Sequence, residues 1–202
     1  GEDSLKPLLI AITLVTAMFM GCTFNAMSII GEKEDGIDFI NEILPMSTGQ
    51  YMLQKTVLGF AGGVLSTMIT ALVCVRMPFA QWGVMLALVA LSAFSAAMAG
   101  LLIGRLAGGL MVGIIYIKVV MILFIAPPIL FYLAVPADGT VRALSYLFPS
   151  SATFYGLMDL QSGRMESMGL YLLVLLGHCV VWLMACIGPD FVRKLKTSQH
   201  LA

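Results

Sequence analysis

The chain has 202 residues, of which 60% are hydrophobic and only 11% charged, with a net charge of zero and a mean hydropathy of +0.99. Soluble domains carry roughly 45–50% apolar and about 25% charged residues, so this composition excludes a core that water could surround. With no net charge there is also no global field to draw in nucleic acid or an acidic substrate.

Lipid is therefore the expected solvent, and the charges divide the chain into apolar runs long enough to cross about 30 Å of hydrocarbon as helices. The predicted spans cover residues 7–31, 51–75, 82–104, 110–135 and 167–188. None of them alternates as the strands of a barrel would. The fold class is thus all-α, a polytopic bundle of five spans forming a single transmembrane domain over 1–202. The basic residues are biased towards the 32–50 side, with Lys33, Lys55, Arg105, Arg193, Lys194 and Lys196 against Lys6, Arg76, Arg142 and Arg164 opposite. That places the amino terminus outside and the carboxyl terminus in the cytoplasm. No basic stretch with a cleavage site precedes the first span.

The connector 32–50 carries Ile37, Ile40 and Leu44 at helical spacing, with Asp38, Asn41 and Glu42 on the other side. A short amphipathic helix is predicted there, stopped by Pro45, and Ser47 with Gln50 forms a capping-box pattern that would open the next span. Pro127 and Pro128 remove two backbone donors, so the fourth span should kink or end there. In the segment 136–166, Asp138-Gly139 signals a turn. Two short helices are expected, over 141–148 and 152–160, broken by Pro149-Ser150-Ser151. Tyr146, Phe148, Phe154 and Tyr155 suit a membrane interface. The segment reads as two interfacial or re-entrant helices on the outer side.

Candidate chemistry is sparse. There is no Gly-x-x-x-x-Gly-Lys-Ser/Thr phosphate loop, so the chain is not itself a P-loop ATPase, and no zincin or serine-hydrolase motif is present. Cys22, Cys74, Cys179 and Cys186 lie in apolar stretches without ligand spacing and read as small buried hydrophobes, with no metal site. Lys118 within the fourth span either lines a substrate path or snorkels to the surface. His178 within the last span is either part of a proton relay or a neutral ring bonded to a neighbouring helix; no span contains a carboxylate to serve a relay. Gly59 with Gly63, Gly100 with Gly104, and Gly109 with Gly113 mark faces for close helix packing, within the subunit or at a dimer seam.

The stretch from Ile30 through Lys55 resembles the ABC-2 class of exporter permeases. Its Glu32-Lys33-Glu34-Asp35-Gly36 opening, short amphipathic helix, Pro45, and Tyr51 through Lys55 occupy the places of that family's cytoplasmic connector. Gly109 through Lys118, a Pro-bearing span, and Phe148-Pro149 before the last span are similar too. Within the family it looks most like small drug-efflux permeases, including those described as fluoroquinolone exporters. Members usually have six spans, so the resemblance implies a further span before residue 1.

The resemblance implies an exporter subunit moving an amphipathic or hydrophobic substrate, working with a separate ABC ATPase and a second permease subunit. ATP would be bound by the ATPase and no cofactor by this chain. Coupling would fall to Glu32, Glu34, Gly36, Asp38, Ile40, Asn41 and Leu44, with Glu32 and Glu34 anchoring the connector at the cytoplasmic surface of a bacterial-type cell membrane. The alternatives are a non-transporting anchor or antibiotic-immunity subunit, and a membrane enzyme.

Overall fold

The computed structural model describes residues 2–37, 48–135 and 140–199. Within them the chain is all-helical, with no strand. We number its α-helices α1 (Glu2–Glu34), α2 (Thr48–Cys74), α3 (Phe79–Leu106), α4 (Leu110–Ala134), α5 (Pro149–Gln161) and α6 (Met168–Gln199), with a 3-10 helix at Thr140–Leu147. Five of the helices carry a segment long and apolar enough to cross a membrane: Leu5–Glu34, Gly49–Cys74, Phe79–Leu106, Leu110–Ala134 and Met168–Cys186. The chain is an all-α polytopic bundle, as its hydropathy predicts.

Helix α1 is the spine of the bundle, packing against α2, α3, α4 and α5, while α3 also packs against α6. Small residues explain how α1 serves so many neighbours. A Cβ on Gly59 of α2 would stand 2.9 Å from the Gly21 carbonyl oxygen of α1 and 3.0 Å from the Asn25 Cβ. One on Gly100 of α3 would collide with the backbone of Cys22, and one on Gly113 of α4 with Ile30. The glycine stripes are therefore spent on packing within the subunit, where backbones must approach closely in the absence of a hydrophobic driving force between helices.

Helix α4 runs unbroken through Pro127 and Pro128 to Ala134, so the prolines do not end it. Each leaves one carbonyl a turn earlier without its helical donor, which a packed membrane helix tolerates because neighbouring groups can take up the freed acceptors. Pro149 likewise opens α5 instead of breaking it. It occupies the first turn, where its missing N–H costs nothing and its fixed φ suits the helix.

The 3-10 helix and α5, the described part of the stretch between α4 and α6, form a re-entrant hairpin. Ser92, Phe19 and Phe124, each within about two residues of the midpoint of its own spanning helix, line a cavity together with Pro149 and Ser150 at the start of α5. From that mid-depth start α5 climbs back until Gln161 Nε2 donates to the Pro7 carbonyl at 3.3 Å, near the start of α1. Phe154 and Tyr155 are 1% and 2% exposed. They belong to the core, not to the membrane interface expected of them, because α5 is enclosed by α1, α3 and α6. Tyr132 and Tyr146 meet them edge-on, at ring distances of 5.7 and 5.9 Å.

Candidate functional site

At the connector end of the bundle, three consecutive residues of α1 each grip a different helix. Glu32 takes α2. Its Oε1 pairs with Lys55 Nζ at 2.5 Å and its Oε2 accepts from the Tyr51 hydroxyl at 2.8 Å. Tyr51 and Lys55 lie one turn apart on α2 and so reach the same partner. Lys55 is 5% exposed, and its ammonium also donates to Ser28 Oγ at 2.6 Å, one turn before Glu32. A buried ammonium demands this much compensation, since an unpaired charge in an apolar setting is prohibitively costly.

Lys33 takes the end of α3. Its ammonium donates to the carbonyls of Gly104, Arg105 and Ala107 at 2.8, 2.9 and 3.0 Å. These acceptors belong to the last turn and cap of α3, where helix carbonyls have no donor of their own and the negative end of the macrodipole lies. Glu34 takes the start of α4, its Oε1 accepting from the Leu110 N–H at 2.6 Å. The residue at the cap position, Gly109, offers no side chain, so Glu34 supplies from another helix the anion that an N-terminus favours. A cation and an anion, adjacent in sequence, thus complement the opposite poles of two helices joined by the 107–109 turn. Arg105 extends the assembly to α6 by donating to the Cys186 carbonyl at 3.0 Å.

Gly36 explains how the chain leaves this joint. Its φ of +69° is left-handed, and its N–H bonds back to the Lys33 carbonyl at 3.2 Å, a glycine stop just past the end of α1. Of the coupling residues read from the sequence, Glu32, Glu34 and Gly36 meet here. Asp38, Ile40, Asn41 and Leu44 lie outside the described residues.

Lys118 and His178 are placed apart from the joint. Lys118 is exposed on α4, eight residues or about 12 Å beyond Leu110. His178 lies between two carbonyls, with Nδ1 2.9 Å from Val174 O and Nε2 3.0 Å from Leu147 O. It ties the tip of the re-entrant hairpin to α6. Sequence reasoning passed over Lys33, Ser28 and Asn25. The last is 1% exposed and donates from Nδ2 to the Ala97 carbonyl of α3 at 2.7 Å. Asn25, Ser28 and Glu32 recur at helical spacing on α1, which was the available signal.

The opposite end has its own clasp. Asp159 Oδ1 accepts from Arg164 Nε and Nη2 at 3.0 and 2.7 Å, and Oδ2 from the Tyr171 hydroxyl at 2.7 Å. The hydrogen bonding of Arg164 to Asp159, and then the carboxylate's charge, raise the guanidinium's pKa. The clasp closes the turn from α5 into α6.

The joint consists of one ion pair and two helix-end contacts that tie four helices together where the connector leaves α1. The profile of the ABC-2 family transporter proteins matches residues 1–187, which covers the joint, every spanning segment and the re-entrant hairpin. The chain belongs to the ABC-2 family. It is a membrane permease of the ABC-transporter type, from a family of transport subunits that work with an ABC ATPase partner in the membrane. No curated protein matches the chain, and no solved structure does. Within this ABC-2 permease, the Glu32-Lys33-Glu34 joint stands where the connector enters the bundle.

Proposed function

We propose that this permease exports an amphipathic or hydrophobic substrate, driven by ATP bound and hydrolysed on a separate ATPase subunit. In this reading the connector end is cytoplasmic, the membrane is a bacterial-type cell membrane, and residues 38–44, with Asp38, Ile40, Asn41 and Leu44, form the helix that seats on the ATPase. Glu32, Lys33 and Glu34 transmit its displacement into the spans. A second permease subunit faces this one across the substrate path.

The observation that carries the reading is the grip of three adjacent residues on three helices. A push on a segment that leaves α1 at Gly36 is delivered to α2, α3 and α4 together, because each is bonded to α1 within one turn of the connector. A plain anchor has no use for such a linkage. The cavity at the start of α5 is lined mainly by apolar side chains, which suits a hydrophobic cargo.

The test is coexpression of the permease with its ATPase partner. Replacing Asp38, Ile40 and Leu44 should abolish retention of the ATPase in detergent. Lys33→Met should leave retention intact and abolish ATP-dependent efflux of an amphipathic fluorescent dye from vesicles. If the connector variants bind the ATPase as wild type does, the coupling role is wrong. Efflux by Lys33→Met at the wild-type rate would remove the transmission role from the joint.

A further inference from the structure

The start of α5 is unusual for its depth. A helix N-terminus stands at the level of the span midpoints, among Phe19, Phe124 and Ser92, and the residue at its cap position, Phe148, provides no side-chain acceptor. Pro149 has no N–H and that of Ser151 bonds to the Phe148 carbonyl at 3.1 Å, so what this end offers is chiefly the positive pole of the helix dipole. Discontinuous helices in transporters present such ends to the oxygen atoms of what they bind.

A second observation is independent of the helix. Ser150 is 4% exposed, its hydroxyl has no hydrogen-bond partner, and it lines a cavity at this point. Across the same cavity the hydroxyls of Ser92 and Thr153 bond to one another, and Thr153 Oγ1 lies 3.3 Å from the Pro149 carbonyl. Ser150 thus offers an unused O–H donor beside an uncapped helix end. The cavity has a volume of about 10 Å³, room for a single water.

We propose that this cavity is a binding site for a single hydrogen-bond-accepting oxygen. In the resting protein the oxygen is that of a water. During transport it is the carbonyl or hydroxyl oxygen of an apolar cargo, which takes the place of the water. The cargo half rests on the export reading; the water half does not. Phe19 and Phe124, whose rings pack at 5.8 Å, line the site and must part to admit the apolar body attached to such an oxygen.

Ser151 provides the internal control. Its hydroxyl is equally buried and equally without a partner, but Ser151 does not line the cavity. Both serines sit in the first turn of α5, so the propensity gain on changing either to Ala is common to both. Removing a dry orphan hydroxyl relieves a desolvation cost and should raise the unfolding midpoint by roughly 2–4 °C or more. Ser151→Ala in the full-length permease should show that rise. Ser150→Ala should show none, or a fall, because its hydroxyl is satisfied by the bound oxygen. Equal rises for the two variants would overturn the site altogether.

The cargo half is read with a matched pair of uncharged fluorescent dyes, one bearing a ketone and the other its deoxy counterpart, binding to the permease in nanodiscs. Wild type should hold the ketone dye about tenfold more tightly, and Ser150→Ala should bind both alike. If wild type does not discriminate while the stability contrast holds, the site belongs to water alone and the cargo half is overturned. Because neither readout needs ATP, both can succeed where the export reading fails.

Discussion

Changing Lys33 to Met removes a cation and three hydrogen bonds at nearly constant side-chain length. In wild type, the Nζ lies 2.8, 2.9 and 3.0 Å from three carbonyls at the end of α3. Hydrogen bonds measured in membrane bundles average about 0.6 kcal/mol, which sets a floor near ~2 kcal/mol for three. Bonds to a charged group start at about 1.5 kcal/mol each, which sets an upper figure near ~4.5 kcal/mol. For a chain of this size each kcal/mol moves the midpoint by roughly 2–4 °C, so Lys33→Met should lower it by about 4–18 °C. The assay is a thermal scan of purified permease, run at one fixed rate so that midpoints are comparable. Lys33→Arg keeps the charge and should recover at least half of the loss. A Lys33→Met midpoint within about 1 °C of wild type would refute the reasoning, because it would mean that water satisfies those carbonyls equally well.

Other perturbations read other parts of the same structure. Glu32→Gln and Lys55→Met should each destabilise by about 3 kcal/mol, since each strands a half-buried or buried partner, while the double variant should lose about 1–3 kcal/mol less than the sum; denaturant titration of all four proteins checks this. Gly100→Ala should lower the midpoint because its Cβ collides with the Cys22 backbone. Gly177→Ala, with open space at that position, should raise it by roughly 1–4 °C through helix propensity. His178→Leu should speed amide hydrogen exchange in the 3-10 helix about tenfold while leaving the middle of α6 unchanged, since the ring's contact with Leu147 O joins the two; equal rates would show that contact to be idle.

The spans were legible because hydropathy is a one-dimensional signal: a run of about 20 apolar residues must cross or be buried, wherever its neighbours are. The joint was half legible. Glu32 and Glu34 stand out as acids at the end of an apolar run, and Tyr51 and Lys55 as polar residues at the start of the next. Lys33 could not be read the same way, because its partners are backbone carbonyls more than 70 residues away, and a carbonyl leaves no mark on the sequence. The depth of helix α5 was left open for a different reason. Aromatic rings suit a packed core and a membrane interface equally well, and 13 residues are too few for hydropathy to assign a depth. Only the partners of Phe154, Tyr155 and Gln161 decide it.

The two ends of the bundle are held by different kinds of contact. At the connector end the bonds run between helices that are distant in sequence, from α1 to α2, α3 and α4, and from Arg105 to α6. On the proposed coupling role, displacing the connector would move several spans as one. At the other end, the Asp159–Arg164–Tyr171 clasp is local, joining α5 to α6 across a short turn, and Gln161 adds a single neutral bond to α1. Helix α5 is held as well by packing, with Phe154, Tyr155, Leu157 and Leu160 each 1–2% exposed. Among the described residues the two ends therefore fix their helices by different means, directional polar bonds where the connector leaves α1 and apolar burial around α5.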